Sequence, residues 1–506
     1  MSAPQRYTLY LAQRYRAILA YTGLVWLVVS LLILSPLLLL FFYPHESEMA
    51  WGFILPGLLL GIPGVLIWRL LAPRTAISLT RQEGAVVVVL SWLPAILMGA
   101  IPFGCIAGLN LTQAIFESTS GWSTAGLSVV DVEHTSPLLL FFRSVTQLAG
   151  GAGLAIIMVS ALAGPLGPGL SAAEGREEQL LPHVMRSAKL VLTLYGSYVV
   201  IGAGGLRLAG MSWFDAVNHA FTALSTGGFS THSASIGYWN SPAIEAVIIV
   251  LMLFGTLNFT TAYALIRGKF GAVYRNSELR QTILFLILFA SVLFLGVTRA
   301  LYPSLGESVR VALFNTAAAL STTGFANVDL APWNSLGRLA IIVLMLMGGG
   351  AGSTAGAMKQ YRFHVLFKGL LWEFKRRLLP SSAVTEPSIW QGEGRHFISD
   401  RHLRRVALFV FLYVTVFVIG SGVMTAYGYS LSDSLFEFAS ALGTVGLSVG
   451  VTAPDAPAGI LWLEICAMLL GRLEFFAVII GLIRLFTDVP AILLSRRPRP
   501  ESMRAP

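Results

Sequence analysis

Hydrophobic residues form long uninterrupted segments along most of the chain instead of alternating with polar ones. Ten segments approach or exceed the roughly 20 apolar residues that a helix needs to cross a bilayer. Their approximate limits are 17–42, 51–72, 85–108, 138–163, 190–209, 243–266, 281–301, 338–357, 405–426 and 459–486. The pattern predicts an all-α polytopic membrane protein with ten spans.

Four shorter apolar stretches lie between these spans, and each ends in Ser or Gly, then Thr, then any residue, then Gly. They read FESTSGWSTAGLSVV (116–130), NHAFTALSTGGFSTH (218–232), NTAAALSTTGFANVD (315–329) and FEFASALGTVGLSVG (436–450). Four copies at the same place in a span, half-helix, loop, span unit indicate an internal repeat. The half-helices are too short to cross the membrane, so the chain is predicted to enter it and return.

The repeated loops suggest ion coordination. Irregular backbone at membrane depth is tolerated only inside protein or along water, and four loops can share one axis on which carbonyl oxygens replace an ion's hydration shell. Each half-helix precedes its loop, so its partly negative C-terminal end points inward and favours a cation. The candidate ion-binding residues are Thr124, Ala125, Gly126, Thr226, Gly227, Gly228, Thr322, Thr323, Gly324, Thr444, Val445 and Gly446.

Carboxylates border the four loops. They could concentrate cations at the pore mouth, or they could be ordinary solvated loop charges and helix caps. The sequence leaves both readings open for Asp131, Glu133, Asp329, Asp433 and Glu437.

Composition agrees with a membrane protein, since 55% of residues are hydrophobic and 12% are charged, against about 25% charged in soluble domains. Basic residues concentrate in alternate loops and at both ends, so the positive-inside rule predicts cytoplasmic termini. The net charge of +9 is attributed to this topology and to contact with membrane lipid, with no nucleic acid as a partner. Cys105 and Cys466 lie in apolar segments and are expected to be buried.

The four S/G-T-x-G loops resemble the filters of the TrkH, KtrB and HKT superfamily of potassium and sodium transport proteins. Two spans before the first repeat resemble the TrkH branch in particular, although the fourth loop is also similar to KtrB proteins. The resemblance implies two N-terminal transmembrane helices followed by four span–pore-loop–span repeats in fourfold pseudosymmetry. The predicted regions are an N-terminal pair (1–84), repeat 1 (85–165), repeat 2 (166–270), repeat 3 (271–380), a cytoplasmic linker (381–404) and repeat 4 with the tail (405–506).

The same resemblance implies potassium-selective uptake across the plasma membrane, the inner membrane of a bacterium. In the family a serine at the first filter glycine accompanies sodium permeation, and this chain has Gly126 there. K+ is then the transported ion, with no organic cofactor in the chain. The resemblance also implies a homodimer and a TrkA-like cytosolic nucleotide-binding regulatory subunit. The chain itself carries no nucleotide-binding glycine motif, so control by a nucleotide would have to come from that subunit.

Two features are candidates for a gate. The first is the glycine-rich segment MGGGAGSTAGAMK (347–359), where glycines cost about 1 kcal/mol each in a helix. A kink or loop and close helix packing through the small-xxx-small spacing of Gly348, Gly352 and Gly356 both remain possible, and the resemblance implies a loop that obstructs the pore. The gate candidates there are Gly348, Gly349, Gly350, Gly352, Ser353, Thr354, Gly356 and Lys359.

The second gate candidate is Arg472, within the last predicted span. An arginine there is costly and needs a partner or water. Glu464 or Glu474 could pair with it, whereas the resemblance implies a gating arginine below the filter.

Two other functions stay open at this point. A K+ symporter coupled to Na+ or H+ would need a buried carboxylate on the transport path, for which Glu464 and Glu474 are the candidates. An intramembrane hydrolase would need an activated nucleophile or a metal site, but no H-E-x-x-H motif or Ser-His-Asp grouping is present. His219 and His232 are more typical of pore-mouth or packing residues, so an enzyme is not expected.

Overall fold

The computed structural model describes residues 3–73, 79–153, 184–380, 386–391 and 394–495, and these are mainly helical. The first region contains α1 (Ala3–Leu34), α2 (Trp51–Leu71) and, between them, 3-10 turns at Ser35–Phe41 and Pro44–Ala50. α3 (Arg81–Ile106) then opens repeat 1. α1 and α2 approach closely because each has a glycine where they cross. A Cβ atom on Gly23 would lie 2.8 Å from the carbonyl oxygen of Gly64, and such small residues are common where membrane helices pack together.

The four half-helices predicted from the repeats are all present. They are α4 (Leu111–Ser123), α7 (Trp213–Leu224), α12 (Leu305–Leu320) and α16 (Leu431–Gly443). With 12 to 16 residues each, they extend roughly 18 to 24 Å and cannot cross the membrane. Asn110, Ser212 and Ser430 cap three of them by accepting a backbone N–H bond three residues along the chain.

The helices around the half-helices complete the repeats. Repeat 1 ends in α5 (Pro137–Ala152), and the remainder of the span predicted at 138–163 lies outside the described residues. The later helices are α6 (Val184–Leu208), α8 (Pro242–Thr256), α9 (Phe259–Ile266), α10 (Phe270–Arg275), α11 (Ser277–Leu293), α13 (Ser335–Met347), α14 (Gln360–Leu378), α15 (Asp400–Ala426), α17 (Ala458–Leu473) and α18 (Phe475–Ser495). A π turn (Phe294–Thr298) and a final turn (Arg299–Leu301) extend α11.

Three of the predicted spans are broken. The break at the glycine-rich segment agrees with the kink or loop that was one of its two readings, whereas the continuous helices predicted over 243–266 and 459–486 were wrong. α8 and α9 meet at 115°, α13 ends before the glycine-rich segment, and α17 ends at Glu474, whose φ is 61°. Within the described ranges, seven helices are long and apolar enough to span a membrane, or eight if the bent pair counts as one span. The breaks are grouped: Asn258 from the first and Glu474 from the third both lie against the glycine-rich segment.

The predicted linker at 381–404 also contains ordered structure. Strand β1 (Ser388–Gln391) pairs antiparallel with β2 (Gly394–Phe397), and the backbone N–H of Trp390 donates to the Ser277 hydroxyl at 3.1 Å. The linker is therefore attached to the start of α11. The expectation that both cysteines are buried was wrong, because Cys105 and Cys466 are both exposed.

Candidate ion pathway

The four tetrad glycines form a ring. Each one lies against the carbonyl oxygen of the residue that precedes the glycine of the next tetrad. A Cβ atom would lie 2.3 Å from Gly227 O if added to Gly126, 1.9 Å from Thr323 O if added to Gly228, 1.9 Å from Val445 O if added to Gly324 and 2.7 Å from Ala125 O if added to Gly446. The contacts run in chain order and close on themselves, so the four loops surround one axis.

The backbone of the four loops is nearly the same. The threonines are left-handed, with φ values of 58°, 54°, 55° and 50° at Thr124, Thr226, Thr322 and Thr444, and the glycines after them also have positive φ. The residue after each threonine donates its N–H to a half-helix carbonyl at 2.8 to 3.0 Å. This closes the helix end. The hydroxyls of Thr124 and Thr444 are buried and have no hydrogen-bond partner within the described part of the chain.

A set of buried polar side chains supports the loops from behind, six residues before the first position of each tetrad. We call these residues the braces: Glu117, His219, Asn315 and Glu437. Each is bonded to the outgoing strand of its own loop: Glu117 to Ser128 Oγ (2.7 Å), His219 to Ser230 Oγ (3.0 Å), Asn315 to Asn327 Oδ1 (2.8 Å) and Glu437 to Ser448 Oγ (2.6 Å).

The sequence analysis did not recognise the braces as a set, although all four occupy the same position when the four repeats are aligned. Glu437 was considered as a charge at the mouth or a loop charge, and both readings were wrong because its exposed fraction is 0%. His219 is the packing residue that one of its two readings expected.

Arg143 joins the first two loops and was not recognised in the sequence. Its side chain is 2% exposed and lies 2.9 Å from the carboxylate of Glu117. It also donates to Ser128 Oγ at 2.7 Å and to the carbonyl oxygen of Ser230 at 3.2 Å, and its guanidinium lies 4.0 Å from the ring centre of Phe229. The buried charge of the first brace is thereby neutralised and fully hydrogen-bonded.

A cavity of about 670 Å³ opens on the side from which the half-helices enter. All four ring glycines line it, together with Asp131 and Asp329. A hydrogen bond from His134 holds the pKa of Asp131 below its usual value, and the backbone N–H of Ser233 lowers the pKa of Glu133. Asp131 and Glu133 therefore stay ionised at neutral pH, and they add negative charge at this end of the ring.

Two further mouth residues are engaged in contacts of their own. His232 stacks on Tyr238 with 3.6 Å between ring centres, and it also lines the mouth cavity. The carboxylate of Asp433 forms an ion pair with the guanidinium of Arg338 at 2.6 Å.

The glycine-rich segment lies under the ring on the opposite side. The Thr354 hydroxyl lies within hydrogen-bonding distance of two carbonyl oxygens, those of Leu224 (3.0 Å) and Gly255 (2.8 Å), and the N–H of Gly356 donates to the Thr322 hydroxyl at 2.7 Å. A Cβ atom on Gly356 would lie 2.0 Å from the Thr444 hydroxyl. The segment is an irregular loop, as one of its two readings predicted. The other reading, close packing of a helix through Gly348, Gly352 and Gly356, was wrong because one helix ends at Met347 and the next begins at Gln360.

Arg472 binds this segment through backbone oxygens. Its guanidinium donates to the carbonyl of Thr354 at 2.6 Å and to those of Gly150 and Gly151 at 2.5 and 2.8 Å. Arg472 therefore ties the segment to the end of α5 in repeat 1. Glu474, one of its two predicted partners, instead binds Arg362 at 2.6 Å.

The space beside Arg472 is narrow. Lys359 donates to the carbonyl oxygen of Ala355, within the glycine-rich segment. The cavity lined by Gly356, Lys359 and Arg472 measures about 30 Å³, which is room for only about two water molecules. The glycine-rich segment and these two basic side chains thus leave little free space between them.

Comparison with known proteins agrees with this architecture. The family model TrkH, described as a cation transport protein, matches residues 69–487. The chain belongs to the TrkH family. It is 30% identical over 459 residues to an uncharacterized cation transporter of Methanocaldococcus jannaschii, covering 90% of this chain and 92% of that protein. It is 31% identical to the Trk system potassium uptake protein TrkG of Escherichia coli K12, covering 90% and 95%.

A solved structure shows the same fold. The crystal structure of the potassium transporter TrkH from Vibrio parahaemolyticus superposes with a TM-score of 0.81 at 29% identity, covering 94% of this chain and 99% of that one. The family resemblance and the fold class predicted from the repeats are confirmed. With its apolar helices, this TrkH-family chain is a multi-pass membrane protein of a transport family and not of an enzyme family.

The Arg143–Glu117 pair gives a stability prediction. Arg143→Met should lower the free energy of unfolding by roughly 3–5 kcal/mol, because Glu117 would be left as a buried charge without its partner. Thermal unfolding of the detergent-solubilised protein measures this. Arg338→Met, at a more exposed ion pair, should cost only about 1 kcal/mol or less. Adding Glu117→Gln to Arg143→Met should recover part of the loss, and equal effects of the two arginine substitutions would contradict the assignment.

Proposed function

We propose that this protein is a potassium-selective uptake system of the plasma membrane, with both termini in the cytoplasm and channel-like conduction through the ring of four loops. The observation that carries the proposal is the closed ring, in which each loop glycine contacts a carbonyl oxygen of the next loop. Four half-helices direct their C-terminal ends towards this ring, which favours a cation. The potassium uptake proteins among the relatives support K+ as the transported ion.

In this mechanism the twelve tetrad residues named from the sequence supply the coordinating oxygens. An ion enters from the mouth cavity, where ionised carboxylates raise its local concentration. It exchanges its hydration shell for backbone oxygen as it passes the ring. The buried hydroxyls of Thr124 and Thr444 supply two more oxygens at the inner end, which fits a site for a dehydrated cation.

The glycine-rich segment and Arg472 form the gate in our proposal. Thr354 connects the segment to filter loop 2 and Gly356 connects it to loop 3, while Arg472 fixes it to repeat 1. A fixed positive charge below the ring also repels cations. Conduction then requires that the segment leave these contacts.

The proposal also covers the regulatory subunit and the oligomeric state of this protein. We propose that a cytosolic nucleotide-binding subunit of the TrkA type controls the gate, as the name "Trk system" of the relatives suggests, and that two copies of this chain pair as a homodimer. α14 follows the glycine-rich segment directly and exposes Phe367 and Phe374 among basic residues. In this proposal α14 contacts membrane lipid, and a displacement of α14 by the regulator moves the glycine-rich segment.

Ion flux with purified protein in liposomes tests the function. Under gradients of K+, Rb+, Na+ and Li+, the reversal potential should follow the K+ gradient. The alternative, a K+ symporter coupled to Na+ or H+, predicts a shift of that potential when only pH or Na+ is changed. Absence of K+ flux with and without a regulator would refute the channel proposal.

Gly126→Ser tests the filter. Gly126 has a φ of +79°, and a Cβ atom there would approach Gly227 O to 2.3 Å, so the neighbouring carbonyl must shift. The K+/Na+ permeability ratio should fall several-fold. Gly108→Ser is the matched control, because Gly108 also has positive φ (67°) but nothing lies within 4 Å of its added Cβ atom. An unchanged ratio in the Gly126 variant would exclude this loop from the filter.

Arg472→Ala tests the gate. Loss of three hydrogen bonds to carbonyl oxygens should free the glycine-rich segment and raise the basal K+ flux of the lone subunit several-fold. Arg484→Ala, on the next helix and away from the segment, should leave basal flux unchanged. A purely structural role for Arg472 predicts a lower unfolding temperature without any increase in flux.

A further inference from the structure

Repeats 1 and 4 pack their second helices on their half-helices in the same register. A Cβ atom on Gly150 of α5 would lie 1.8 Å from the carbonyl oxygen of Trp122, and one on Gly471 of α17 would lie 2.0 Å from that of Leu442. Trp122 and Leu442 each come directly before a tetrad. The two glycines are thus equivalent.

This register places an acid where the first repeat has a base. Arg143 lies seven residues before Gly150, and Glu464 lies seven residues before Gly471. The braces that they face, Glu117 and Glu437, are equivalent and make the same bonds to their loops. Repeat 4 therefore carries two carboxylates where repeat 1 carries an ion pair.

The two carboxylates are joined by one residue of the loop. The N–H of Thr452 donates to Glu437 Oε1 at 3.0 Å, and the Thr452 hydroxyl donates to Glu464 Oε1 at 2.9 Å. Both glutamates have an exposed fraction of 0%. Glu437 accepts from Ser448, Val449 and Thr452, whereas Glu464 Oε2 is buried with no hydrogen-bond partner among the described residues.

Burying two neighbouring anions would cost several kcal/mol for each, and they would also repel one another. Glu437 accepts several hydrogen bonds that stabilise its charged form, whereas Glu464 Oε2 accepts none. Glu464 is therefore the carboxyl of the pair whose charged form is the less stabilised. We infer that Glu464 holds a structural proton that takes the place of Arg143 in the fourth repeat and positions the outgoing strand of filter loop 4. Its loss at alkaline pH would leave two buried anions and displace that strand.

Other charged groups around the pair do not replace the proton. α4 contributes Glu117, which is bound to Arg143, and α13 contributes Arg338, which is bound to Asp433. The outer half of α15, residues 414–426, contains no charged residue. Tyr429 is close enough to both glutamates and to Asp455 to interact with their charges, and neither Tyr429 nor Asp455 is a cation at neutral pH.

The transport test rests on the proposed potassium pathway. The K+/Na+ permeability ratio of the wild-type protein in liposomes should fall several-fold between neutral and alkaline pH. Glu464→Gln cannot lose a proton there, so its ratio should stay constant, and Glu464→Arg should do the same by recreating the ion pair of repeat 1. Glu373→Gln, on the exposed helix α14, should retain the wild-type pH profile. Identical profiles for wild type and Glu464→Gln would overturn the inference.

Infrared difference spectroscopy provides a readout that does not depend on transport. The wild-type protein at neutral pH should show a protonated-carboxyl C=O band that is absent from Glu464→Gln, and absence of that band in the difference spectrum would refute the structural proton. If the wild type conducts no K+, the proposed function fails while the band still decides this inference. A reversal potential that shifts with the pH gradient in wild type but not in Glu464→Gln would mean a transported proton and would also overturn it.

Discussion

The structure depends on one constraint: four stretches of irregular backbone lie at membrane depth, where lipid offers their N–H and C=O groups no partners. The chain meets this constraint by packing the loops against one another. Each ring glycine lies so close to a carbonyl oxygen of the next loop that a Cβ atom would not fit. At the end of each half-helix, a backbone N–H of its own loop donates to a helix carbonyl oxygen. The closed ring of four loops, on which the proposed ion path depends, is a consequence of this mutual packing.

The pseudosymmetry is strict in the backbone and relaxed behind it. The four threonines share one conformation within a few degrees of φ, while the brace position holds two glutamates, a histidine and an asparagine. Because all four can bond to the outgoing strand, any of them can support a loop. The four braces differ in the charge that they bury. A buried charge needs a partner that compensates for its lost hydration, as Arg143 does for Glu117.

The glycine-rich segment uses the same oxygens and hydroxyls that finish the filter loops. Thr354 and Gly356 bond to groups at the inner ends of loops 2 and 3, and Arg472 holds Thr354 through its carbonyl oxygen. These bonds join three repeats at one level of the membrane. A movement of the segment would therefore disturb the inner ends of loops 2 and 3 directly, and for this reason the proposed gate is placed at this level.

The sequence by itself determined where the apolar segments, the four half-helices and the four tetrads lie, because these are local patterns of apolar length and small residues repeated along one chain, but it did not reveal the breaks after Thr256 and at Glu474. It also indicated the glycine-rich break and singled out Arg472, since both are expensive inside a membrane helix. Only the tertiary structure decided the partners. Arg472 binds carbonyl oxygens, Glu474 binds Arg362, and Glu437 lies behind the loop instead of at the mouth. Such pairings join residues up to several hundred positions apart, and they depend on how the repeats close around one axis, which no local pattern encodes.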